Sequence, residues 1–142
     1  MRSDTALREF AAARGLSVTR GGDEFLVEGP GVTMGQGTIV HPRSGGRLFH
    51  FRLTFSPYER EPSFMLTPQG ATKWTGAAPA PCAPEEVPGH ERFAAPLAEF
   101  AAEVKTHWQL KLGEQGKLYL EALERVSPRA WELAWDVLTA IR

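Results

Sequence analysis

Arg47-Leu48-Phe49-His50-Phe51-Arg52-Leu53-Thr54-Phe55, running on into Ser56-Pro57-Tyr58-Glu59-Arg60-Glu61-Pro62, is the stretch whose reading decides the fold. Phe49, Phe51, Leu53 and Phe55 fall on alternate positions, with His50, Arg52 and Thr54 between them. A period of two sends successive side chains to opposite faces of a strand, so one face is apolar and the other polar. Burying one such group is worth roughly 1.5–3 kcal/mol, which makes this strand the anchor of a sheet that another layer must cover.

Working outward, the segment before the anchor reads as a short amphipathic helix and then a series of strands. Asp4 to Arg14 places Leu7, Phe10 and Ala11 on one helical face, and Gly15 suits a left-handed stop. A helix this short needs the sheet for stability. Leu16 to Arg20 and Glu24 to Glu28 flank Gly21-Gly22-Asp23, the composition of a hairpin. Val32 to Val40 is a weaker strand, because Gly35 and Gly37 lower its propensity and suggest a bulge or a close backbone approach. His41 to Gly46 is the loop that leads into the anchor.

Beyond a second short apolar run, Ser63 to Leu66, the pattern changes. Thr67 to Pro88 holds five prolines and little periodicity, and reads as one long loop carrying the lone cysteine, Cys82. Phe93, Leu97, Phe100, Val104 and Trp108 recur at helical spacing, closed by Gly113 and Gly116. Lys117 to Val126 reads as a second helix with Leu118, Leu120 and Leu123, and Ser127-Pro128 opens a third that carries Trp131 and Trp135. The expected fold is α+β: an N-terminal helix, a four-stranded antiparallel meander, a long loop and three C-terminal helices, in a single domain over residues 1–142.

Composition narrows function by exclusion. A net charge of −1 gives no electrostatic case for nucleic acid. Apolar runs fall short of the roughly 20 residues of a membrane span, and the N-terminus has no apolar signal core, so a cytoplasmic location is expected. One cysteine rules out an internal disulfide, and the four histidines show no ligand spacing, so neither metal nor cofactor is expected.

The order of elements and the wording Phe49-His50-Phe51-Arg52-Leu53-Thr54-Phe55, Ser56-Pro57-Tyr58 and Glu61-Pro62-Ser63-Phe64-Met65-Leu66-Thr67, with the Gly29-Pro30-Gly31 turn, resemble the ubiquitin-conjugating enzymes. Cys82 stands where that family places its catalytic cysteine. In place of the family's His-Pro-Asn motif the loop reads Gln69 to Gly76, as in divergent bacterial members that keep the cysteine alone. The resemblance implies that Cys82 carries a ubiquitin-like protein as a thioester and passes it to an amine. It also implies an activating enzyme and the ubiquitin-like protein as partners.

Read from their own chemistry, four residues are site candidates. Cys82 can act as a nucleophile if a nearby positive charge favours the thiolate, and His90 could serve as its base. Lys73 and Trp74 together suit a partner contact, since aromatics and cations are enriched at hot spots. The competing function is a non-catalytic protein-binding module, an adaptor or secretion-type chaperone, on a similar α+β frame.

Overall fold

The structure, a computed structural model, describes residues 2–142, with side chains from residue 4 onward. Helix α1 (Arg2–Ala13) leads into four strands, β1 (Ser17–Arg20), β2 (Phe25–Gly29), β3 (Val32–Val40) and β4 (Arg47–Phe55). Three more follow, β5 (Ser63–Thr67), β6 (Gly70–Thr75) and β7 (Ala78–Cys82). Helix α2 (His90–Glu103), the hairpin β8 (Trp108–Leu112) and β9 (Leu118–Ala122), and helix α3 (Pro128–Ile141) complete the chain.

The nine strands form one antiparallel sheet in the order β1-β2-β3-β4-β9-β8-β5-β6-β7. This overturns the expected four-stranded meander with three C-terminal helices. The stretch expected as a second helix is β9, and the first expected helix ends at Glu103, its tail becoming β8. The physical reason lies in a period read wrongly. Trp108, Leu110 and Leu112, and likewise Leu118, Leu120 and Ala122, alternate with Gln109, Lys111, Tyr119 and Glu121, and that alternation faces the core. The expected long loop also holds β6 and β7. Its prolines, Pro79 and Pro81, are tolerated because β7 is an edge strand, where a missing N–H faces outward.

The hairpin β8–β9 fills the gap between two separate meanders. Strand β9 pairs with β4 through Leu53↔Leu120 and Phe55↔Leu118, while β8 pairs with β5 through Leu66↔Leu110 and Phe64↔Leu112. The seven residues 56–62 therefore cross three strand spacings, about 14 Å, well within their extended reach. This connector packs on the hairpin turn. Tyr58 N–H donates to the Gly116 carbonyl at 2.6 Å, and a Cβ at Gly113 would lie 2.9 Å from the Arg60 carbonyl oxygen. Gly113 also has φ +96°, so both the space and the backbone require glycine there.

All three helices cover one face. Leu7 and Phe10 of α1, Phe93, Leu97 and Phe100 of α2, and the apolar side of α3 join the strands in one core. Trp131 meets Phe25 edge-on at 5.2 Å and Trp135 meets Phe55 at 5.1 Å, with Phe10 touching both indoles. Gln36 is the polar side chain buried on this face; it donates to the Asp23 carbonyl and accepts from Val126 N–H, joining β3 to the segment before α3. Ser127 caps α3 by accepting from Ala130 N–H, as its Ser-Pro start predicts.

The anchor strand behaves as read at three of its four apolar positions. Phe51, Leu53 and Phe55 are fully buried, whereas Phe49 lies beyond the helices, 38% exposed, under the Arg125 guanidinium. Phe51→Ala should therefore cost roughly 3–5 kcal/mol. Phe49→Ala should cost about 1 kcal/mol or less, the worth of an exposed cation–π contact. Urea denaturation of both variants measures the difference, and equal losses would contradict this burial.

Candidate functional site

Among the described residues no helix covers the opposite face of the sheet, and its relief is set by two glycines. Gly35 and Gly37 point to that face from the middle of β3, opposite Arg52 and His50 of β4. Pairing runs through both without a bulge, so the register excludes one of the two reasons for glycine in a strand. Neither has a positive φ. A Cβ at Gly37 would meet nothing within 4 Å, and one at Gly35 would make only ordinary contacts, at 3.7 and 3.8 Å. Glycine in a strand costs roughly 0.5–1 kcal/mol relative to alanine, and here neither the backbone nor the packing asks for it. What the glycines leave is a trough of about 500 Å³ over β3. Arg20, Glu24 and Leu26 form one wall, His50, Arg52 and Thr54 the other.

The second wall is braced from behind. Glu121 of β9 accepts three hydrogen bonds on one oxygen, Oε2: from His50 Nε2 at 2.9 Å and from Arg52 Nε and Nη2 at 3.1 and 2.8 Å. Burial alone would raise the Glu121 pKa, but the bonds from His50 and Arg52 and the Arg52 charge outweigh it and carry it down to about 2. An ionised carboxylate only accepts, so His50 Nε2 carries its proton here. Arg52 also lies over the Tyr119 ring, 4.3 Å from its centroid. The Tyr119 hydroxyl donates to Glu114, which takes a further bond from Lys111 Nζ at 3.2 Å. Burial and the Glu114 bond push the tyrosine pKa up, and the Tyr119 bond draws the Glu114 carboxyl down. The guanidinium is thus fixed by ion pair and stacking together.

The residues singled out from sequence are not gathered into one site. Cys82 ends the edge strand β7 and is half-buried, packed against the core beside Ala71. Burial raises its thiol pKa, the Glu86 carboxylate raises it further, and Lys73 opposes them. Glu86 is held nearby because its carboxylate accepts from Ala83 N–H and caps the short 3-10 turn at Pro84–Glu86. His90 opens α2, where its ring sits edge-on to Phe93 at 5.4 Å. Among the described residues no hydrogen bond joins it to Cys82. Lys73 and Trp74 part company, since neighbours along a strand face opposite ways. Lys73 pairs with Phe64 on the helix side, while Trp74 faces the uncovered side and borders a cavity of about 270 Å³ with Met65 and Lys111.

Sequence reasoning gave no role to Arg52 or to the Tyr119–Glu121 pair, although the alternation of Tyr119 and Glu121 with Leu118, Leu120 and Ala122 carried the signal. No family model, curated protein or solved structure matches the chain. No helix among the described residues is long and apolar enough to cross a membrane, which leaves strand-built spans unaddressed.

The depressed carboxyl predicts an acid-sensitive network. Its folded pKa lies below the unfolded value of about 4.3, so its contribution is complete above about pH 5 and is lost as pH falls toward 2. The shift corresponds to something on the order of 3 kcal/mol. Urea midpoints taken near pH 5 and near pH 2 should fall steeply for the wild type and more gently for Glu121→Gln. Parallel acid limbs would show that Glu121 is not held in this way.

Proposed function

We propose that this chain is a non-catalytic protein-binding module, an adaptor or secretion-type chaperone, that holds its partner on the uncovered face of the sheet. The observation that carries the reading is the pair Gly35 and Gly37, which clear a trough at a cost in strand stability that the fold itself does not require. Departures from local preference concentrate where a protein works.

The sheet edges favour face binding over strand addition. On β7 the prolines at 79 and 81 have no N–H, so the bonds to β6 come from Ala78, Ala80 and Cys82, and the outward positions are left without donors. At the other edge β1 has only four residues and an irregular register between Val18 and Arg20. A thioester carrier needs an accessible thiolate at Cys82, and the burial and the Glu86 charge there act against one.

The test compares three baits in affinity purification from the native cell: wild type, Gly37→Val and Cys82→Ala. Wild type and Cys82→Ala should retain the same partner, and Gly37→Val should lose it while its thermal midpoint stays level or rises, since valine suits a strand better than glycine. A partner kept by Gly37→Val and lost by Cys82→Ala, joined through a bond that thiol cleaves, would replace the binding module with the carrier.

A further inference from the structure

Resting on that reading, we infer that the trough over Gly35 and Gly37 takes an acidic, extended segment of the partner, with one of its carboxylates seated against Arg52. Three features carry the inference. The first is shape. From Thr33 to Ile39 the floor runs about 20 Å along β3, and Leu26 of β2 and Arg52 of β4 flank it two strand spacings, about 9.6 Å, apart. A floor of that length matches one extended chain of about six residues.

The second is the state of the charged groups. Glu24 lines the trough, but its charge is balanced there: Oε2 pairs with Arg20 at 2.8 Å, and Oε1 accepts from the Thr38 hydroxyl at 2.8 Å. Arg52 uses Nε and Nη2 on Glu121, which does not line the trough. Among the described residues no protein group takes a bond from Arg52 Nη1, and its side chain is 39% exposed. The near groups therefore offer a free donor edge on Arg52, while the carboxylate of the lining is paired with Arg20.

The third is rigidity. Tyr119 beneath and Glu121 behind hold the guanidinium in place, so a carboxylate meets a preorganised planar donor and little side-chain entropy is lost on contact. Thr33 and Thr54, cross-strand neighbours at the same end, add hydroxyls that bond to either backbone or carboxylate.

Three fluorescein-labelled, end-capped peptides of about eight residues, alternating threonine with glutamate, glutamine or lysine, test this by fluorescence anisotropy. The glutamate peptide should bind wild type about tenfold or more tighter than the glutamine peptide, and the lysine peptide should not bind. Arg52→Gln should bring the glutamate peptide down to the glutamine level, and Gly37→Val should abolish both. Should Arg52→Gln fail to fold, salt titration of the wild type replaces it: the glutamate peptide must weaken with added salt and the glutamine peptide must not. Equal affinity for glutamate and glutamine peptides, both lost in Gly37→Val, would overturn the acidic preference and leave the binding module standing. A preference for lysine, or no binding of any peptide to wild type, would overturn the inference, and partner retention by the Gly37→Val bait separately decides the broader reading.

Discussion

Everything in this molecule depends on the hydrogen bonding of one late hairpin between two earlier meanders. Strands β1–β4 and β5–β7 share no ladder, and only β8 and β9, arriving after α2, make them one sheet. Leu110, Leu112, Leu118 and Leu120 are fully buried on the helix side of this insert, each worth roughly 1.5–3 kcal/mol. The same strands present Lys111, Tyr119 and Glu121 to the uncovered side. One hairpin thus closes the core and supplies the groups that brace Arg52.

That double role explains why the candidate site is rigid at its back and open at its front. Glu121 can hold His50 and Arg52 only because β9 lies beside β4, where Arg52 and Glu121 are direct cross-strand neighbours. The trough in front of them exists because β3 has no side chains at two successive positions of that face. Prolines on one sheet edge and a short irregular strand on the other make both edges poor templates for strand addition.

The first half of the chain was legible in its sequence. Its strands are long or flanked by strong turns, and the alternation in Val32 to Val40 and Arg47 to Phe55 is sustained enough to exclude a helix. The second half was not. Strands β8 and β9 have five residues each, and over so short a span a few apolar groups satisfy both periods. Phe93, Leu97 and Phe100 do form a helical stripe, and Val104 and Trp108 extend it by coincidence past the true end at Glu103. Prolines that argue against a central strand are acceptable on an edge, and no local pattern says which strand is the edge. For the site, the two glycines were visible as an anomaly, but the residues that brace the trough are more than sixty positions away in the chain. Cys82 drew attention by its chemistry, and the structure adds only that burial and the Glu86 carboxylate raise its thiol pKa.

The insertion of β8–β9 is the claim on which core and site both rest, and nuclear Overhauser contacts measure it directly. The strand order predicts cross-strand contacts joining Leu53 with Leu120 and Leu66 with Leu110 in the same sample. Sequential amide–amide contacts of helical type running from Lys117 to Val126, with neither cross-strand pair present, would contradict it.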